Sequence, residues 1–231
     1  SDVLAREQAA PAGQAITGAR MINPTAVELL YTDGRHLTMD FYGQDIVRLF
    51  QDNAGGIVRD PEAKPEAQIL VDEPRRDAGL VDLKDNGGNI EIRTEAMTIT
   101  VNKSDGTFQV RDGEGRLVVE SAAPVKFEKG RTTLTLKEQA DEWFYGGGVQ
   151  NGRFSHKGKA IEIVNTNNWT DGGVASPTPF YWSTAGYGLM WHTFRPGLYD
   201  FGSAEKGIVS LQHDESYLDV FLMVGKTPVE L

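Results

Sequence analysis

Apolar and polar residues alternate in short runs along most of this chain, and each run is bounded by turn residues. The clearest are Ala26–Tyr31, His36–Phe41, Ile90–Thr94, Met97–Asn102 and Thr107–Arg111. Leu117–Glu120, Thr132–Leu136, Gly188–Thr193, Ile208–Gln212 and Tyr217–Val224 follow. A period of two, rich in Thr, Val, Ile and aromatic residues, predicts antiparallel strands with one face buried. Thr32-Asp33-Gly34-Arg35, Asn102–Gly106 and Arg111–Arg116 carry the Asp, Asn and Gly expected of tight turns between them. Helical signals are scarce. Residues 1–15 lack a capped amphipathic pattern and read as irregular, and residues 51–67, rich in Gly, Pro and charge, read as a long surface loop. Many short strands with few helices predict an all-β fold, an antiparallel β-sandwich or barrel.

All four tryptophans lie beyond residue 140, in a stretch also rich in Gly, Tyr and Asn. Because the alternation continues to Val224, residues 16–226 are read as one sandwich, part of which packs against something else. Thr227-Pro228-Val229-Glu230 is a capping box with Pro at its first helical position, and only Leu231 follows. Residues 227–231 are therefore read as the start of a linker helix in a longer polypeptide.

Composition narrows the chemistry. A net charge of −10 argues against nucleic acid or an anionic membrane as partner. The absence of cysteine removes disulfides, thiolate metal sites and cysteine nucleophiles. No apolar run reaches membrane-span length, and the first residues lack the apolar core of a signal peptide. A periplasmic or secreted location is favoured over a cytoplasmic one.

The stretch from Trp143 to Phe201 suits a sugar-facing surface, because flat rings stack on pyranose C–H faces and short amides bond hydroxyls. Within it, Asn165–Gly173 is a dense polar loop around one indole, Trp169, which implies a contact with sugar or with a neighbouring domain. Gly146-Gly147-Gly148 lacks the Lys-Ser/Thr of a phosphate loop and reads as close backbone approach or unusual dihedrals. Asp141, Glu142, Glu162, Asp171 and Asp200 are available as carboxylates, and their contexts read as surface or turn positions. His36, His156, His192 and His213 are scattered, with no metal-ligand spacing. His192 reads as structural, and His156 is the one to test as polar lining. No self-contained catalytic site, cofactor site or metal site is expected.

Several motifs in order carry a resemblance. Phe144-Tyr145-Gly146-Gly147-Gly148, Arg153, Gly158-Lys159 and Asn165-Thr166-Asn167 come first. Pro179–Ser183, Gly186-Tyr187-Gly188, Tyr199–Gly202 and Leu218–Pro228 complete the series. Together they resemble the N-terminal domain of glycoside hydrolase family 31, which includes α-glucosidases, α-galactosidases and α-N-acetylgalactosaminidases. The resemblance implies a galactose-mutarotase-like β-sandwich preceding a (β/α)8 catalytic barrel on the same polypeptide. In the family, retaining hydrolysis uses two barrel aspartates, so the chain alone is expected to be inactive. The sandwich loop that reaches the active-site mouth maps onto residues 165–179, making Asn167, Asn168, Trp169 and Asp171 candidate carbohydrate-binding residues. Asn167 replaces the acidic residue common among members acting on α-glucosides, and Gly-Gly-Gly-Val-Gln-Asn-Gly departs from the usual Gly-Leu-Gly-Glu. An α-galactoside or α-N-acetylgalactosaminide is the substrate these departures suggest. Two other readings stay open: a free-standing carbohydrate-binding module using its tryptophans, and an aldose mutarotase or epimerase, which needs a His and a carboxylate converging in a concave sheet.

Overall fold

Alternating side chains become alternating burial. In the computed structural model, which describes residues 15–52, 81–146, 155–164, 179–193 and 195–225, every regular element is a strand. The first nine are β1 (Ile16–Asn23), β2 (Ala26–Tyr31), β3 (His36–Phe41), β4 (Ile46–Asp52), β5 (Asp82–Asp85), β6 (Asn89–Arg93), β7 (Met97–Asn102), β8 (Phe108–Asp112) and β9 (Leu117–Glu120). The others are β10 (Lys126–Glu128), β11 (Arg131–Lys137), β12 (Phe144–Gly146), β13 (Ala160–Ile163), β14 (Phe180–Ser183), β15 (Tyr187–Trp191), β16 (Gly197–Phe201), β17 (Ile208–His213) and β18 (Tyr217–Val224).

They form an eight-stranded sheet, ordered β1-β2-β3-β4-β18-β15-β14-β12, and two five-stranded sheets, β5-β6-β7-β8-β9 and β10-β11-β17-β16-β13. Every ladder is antiparallel, as expected of short strands joined by tight turns. The two smaller sheets adjoin through a bridge between Ser121 and Leu136 and a bond from Ala122 N–H to the Thr135 carbonyl. They make one layer facing the eight-stranded sheet. The core between the layers is a single cluster, with Leu29, Met39 and Phe41 on one side and Ile90, Ile99 and Leu211 on the other.

β18 is central and departs from the one-face rule. Leu218, Val220, Leu222 and Val224 join the core, yet Asp219, Phe221 and Met223 on the opposite face are buried too. Two close approaches fix the local geometry. Gly146 has φ +102°, and a Cβ there would sit 2.9 Å from the Phe180 carbonyl oxygen, so at this glycine both the close backbone approach and the unusual dihedral expected are present. A Cβ on Gly197 would overlap the Gln212 carbonyl oxygen and lie 2.6 Å from His213 Nδ1. Gly197→Ala is accordingly expected to lower stability by roughly 1–3 kcal/mol in urea unfolding; an unchanged midpoint would mean that β16 and β17 separate at no cost.

Between the layers lies a cavity of about 30 Å³, lined by Leu37, Met39, Ile99, Val101, Val125 and Phe127 among others. One methyl group fits where the β-branched shape of Val101 is kept. Val101→Ile should raise stability by about 0.5–1 kcal/mol, measured by the same unfolding experiment, and a decrease would show that the neighbours cannot accommodate the methyl.

Candidate functional site

Asn167, Asn168, Trp169 and Asp171 lie outside the described residues, as do Gly147, Gly148, Arg153 and residues 227–231. The frame that carries the 165–178 segment is described. On one side, β13 ends at Ile163, which pairs with Gly197, and Gly197 in turn pairs with His213. On the other, the Pro179 carbonyl accepts from Trp191 N–H at 3.0 Å, and the Trp191 ring lies 4.7 Å from that of His213. Ile163 and Pro179, described residues near the two ends of the segment, are thus tied to the strands that carry His213 and Trp191.

Residues 155–159 stitch the two layers together beside this frame. His156 N–H donates to the Phe144 carbonyl at 2.8 Å, and its Nε2 bonds the Gly146 carbonyl. Gly158 N–H donates to the Phe201 carbonyl at 2.6 Å, and Phe201 N–H donates to the Lys159 carbonyl at 2.8 Å. His156, expected as polar lining, stacks on Phe201 at 6.0 Å with its ring nitrogen committed to backbone. It is a fastener between sheet edges.

A buried polar layer lies beneath. Glu142 is 3% exposed, which corrects the reading of it as a surface or turn carboxylate. Its carboxyl accepts from Gln139 N–H at 3.0 Å and from the Ser183 hydroxyl. Burial pushes its pKa up against those two bonds. The Tyr181 and Tyr187 hydroxyls are 2.9 Å apart, and burial raises both phenols well above their ordinary value. Tyr199 Oη is 2.7 Å from His213 Nε2, while His213 Nδ1 is 3.0 Å from the Arg195 carbonyl. These distances fit a neutral imidazole that donates through Nδ1 and accepts the tyrosine proton at Nε2. Burial lowers the His213 pKa to about 4.

Two more histidines have carboxylate partners that sequence separation concealed. On the face of the eight-stranded sheet opposite the core, Arg48 Nε and Nη2 donate to the two Asp219 oxygens, each at 2.8 Å. His192 Nδ1 lies 3.0 Å from Asp219 Oδ2, and Phe221 packs beneath the guanidinium at 5.3 Å. Burial alone would raise Asp219, but the hydrogen bonds from Arg48 and His192 outweigh it and hold the carboxyl below its usual range. On β2, Glu28 accepts from Arg20 Nε at 2.5 Å and bonds His36 Nδ1. Asp141 and Glu162 are exposed, as read, whereas Asp200, read as a surface or turn carboxylate, is buried within β16 and accepts from the backbone and hydroxyl of Ser203.

Of the described residues, Glu142 and Glu215 accept from the Ser183 and Thr193 hydroxyls, and Glu28 and Asp219 are paired with Arg20 and Arg48. Among the described residues, no group of three His, Asp or Glu side chains could hold a metal ion. The His–carboxylate pairs His36–Glu28 and His192–Asp219, among the described residues, each share their carboxylate with an arginine, Arg20 and Arg48.

Comparison with known proteins places this frame. A family profile described as the glycosyl hydrolase 31 N-terminal galactose mutarotase-like domain matches residues 36–200. Among solved structures, a Flavobacterium johnsoniae GH31 dextranase complexed with isomaltotriose superposes with a TM-score of 0.74 at 21% identity, over 95% of this chain and 27% of that one. A GH31 α-xylosidase from a soil metagenome, complexed with xylose, gives 0.70 at 19% identity over 91% and 33%. The Listeria monocytogenes cycloalternan-forming enzyme in complex with a pentasaccharide substrate gives 0.71 at 20% identity over 93% and 21%. The chain spans between about a fifth and a third of the length of these proteins.

Proposed function

Since the chain belongs to the glycosyl hydrolase 31 N-terminal galactose mutarotase-like family, we propose that it is the non-catalytic N-terminal β-sandwich of a retaining α-glycosidase. In this reading residues 16–226 brace a (β/α)8 catalytic barrel on the same polypeptide, reached through a linker that starts at 227–231. The segment at about 165–179 faces the substrate mouth, and Asn167, Asn168, Trp169 and Asp171 contact the sugar there.

The observation that carries the reading is the state of the carboxylates. Retaining hydrolysis needs two carboxyls about 5–5.5 Å apart across an open glycosidic bond, one protonated and one ionised. Glu142 has the raised pKa but is closed off from solvent. Asp219 is ionised but lies fully buried under the fork of Arg48. The catalytic pair is therefore sought on another domain, consistent with the fraction of each related enzyme that this fold occupies.

The test uses 4-nitrophenyl α-galactoside, α-N-acetylgalactosaminide and α-glucoside. This chain should release no nitrophenol, whereas a polypeptide joining it to a barrel should release it from at least one of them. Protein-dependent hydrolysis by the chain itself would overturn the proposal. In the joined polypeptide, Trp169→Ala should raise KM several-fold for an oligosaccharide with kcat little changed. A contact remote from the reacting bond contributes equally to ground and transition states; a fall in kcat at constant KM would place Trp169 at the reacting centre instead.

A further inference from the structure

Among the described residues, the large apolar side chains left exposed are Met21, Ile22, Trp143 and Val164. Trp143 stands apart because it is held. Its N–H donates to Thr184 Oγ1 at 2.9 Å, and its carbonyl accepts from Thr184 N–H at 3.0 Å. The Lys157 ammonium lies 5.1 Å from the ring centroid. That ammonium is itself fixed by Glu138 at 3.1 Å and by the carbonyls of Glu142 at 2.8 Å and Ala140 at 3.3 Å. The backbone of Trp143 is thus held on both sides and its indole has a cation at one face, yet 48% of the residue is open to solvent. A half-open tryptophan on a fixed backbone has much apolar surface still to bury, which suits an interface anchor.

Its position identifies the partner. β12 runs from the Trp143 end toward Gly146, and Phe144 pairs with Ser183 while Gly146 pairs with Tyr181. Trp143 therefore sits at the end of β14 opposite Pro179 and the 165–178 segment. The turn beside it, Ser183–Gly186, also receives the end of β18: Gly225 N–H donates to the Gly186 carbonyl at 3.0 Å. Trp143 and Gly225 thus lie on the two sides of one turn, at the same end of the eight-stranded sheet.

We propose that Trp143 anchors the sandwich to the catalytic barrel of the same polypeptide, its indole entering an apolar socket on that barrel. This rests on the reading given under Proposed function. The corner is separate from the sugar-facing segment, so one end of the sandwich serves docking and the other substrate.

Hydroxyl-radical footprinting with peptide mass spectrometry tests this on the chain and on the polypeptide that joins it to the barrel. Trp143 should oxidise about tenfold more slowly in the joined polypeptide, as for a buried interface anchor. Trp143→Ala there should split the shared thermal unfolding transition into two while leaving KM for a nitrophenyl glycoside unchanged. Equal oxidation in both proteins would overturn the anchor and leave the proposed function standing. Protection of Trp143 in the chain alone by isomaltotriose would overturn it in favour of a sugar platform. Absence of any barrel from the natural polypeptide would overturn both proposals.

Discussion

Replacing Asp219 by Ala is expected to lower the stability of the sandwich by about 3–5 kcal/mol, enough to leave much of it unfolded at 37 °C. The cause is what the substitution leaves behind. Arg48 is 3% exposed, and both bonds of its fork end on Asp219. Without the carboxylate, a guanidinium that cannot shed its proton stays buried among Phe221, Tyr42 and His192. Arg48→Ala should cost a similar amount by stranding the aspartate. The double replacement Arg48→Met with Asp219→Leu removes both charges while keeping apolar volume, and should recover most of the loss. Urea unfolding of the four proteins compares the cost of stranding one charge with that of removing both. If the two single variants lose less than 1 kcal/mol, the pair is hydrated in solution and the argument fails. If the double variant is no better than the singles, packing around Phe221 rather than charge sets the stability.

That pair also marks where reading the sequence stops. Alternation in the sequence made strands legible: β2, β3, β7, β9 and β18 have the boundaries it predicts, although β2, β3 and β18 are buried on both faces. β4 (IVRLFQD) escaped because its apolar residues come in adjacent pairs, Ile46-Val47 and Leu49-Phe50, and so show no period of two. β1 escaped because Gly18-Ala19-Arg20 breaks the period at an edge strand, and β10 because three residues carry no period. The motifs near Tyr181 and Tyr199 identified the family, yet not the work these residues do. Glu142 meets Ser183 across 41 positions and Arg48 meets Asp219 across 171. A carboxylate beside an exposed aspartate in a turn looks like surface until the strand pairing brings a hydroxyl and two phenols over it. Spacing in sequence carries no trace of such contacts.

Stability should also fall in mild acid, and most of that fall should vanish in His213→Gln. The imidazole is fully buried, accepts from Tyr199 and donates to Arg195, so its neutral form is the one the fold holds. Its pKa drops from 6.5 to about 4 on folding. Between those values the unfolded chain binds a proton that the native state does not, so stability rises with pH across that window and declines as pH falls through it. A gap of that size corresponds to about 3 kcal/mol, complete near pH 4. The groups around it act in smaller measure: the Asp214 carboxylate favours the imidazolium and limits the drop. Glu142 works in the opposite sense, because its raised pKa lets the native state hold a proton that the unfolded state releases. The measurement is therefore the difference between wild type and His213→Gln in urea unfolding at pH 7, 5.5 and 4.5. The variant keeps an acceptor for Tyr199 in its amide oxygen but loses the Nδ1–H donation to the Arg195 carbonyl, and starts lower at pH 7. Its curve should then stay flatter, so the two proteins converge toward pH 4.5. Parallel curves would show that His213 takes up its proton in the folded state as readily as in the unfolded one, with the Tyr199 hydroxyl turned to accept it.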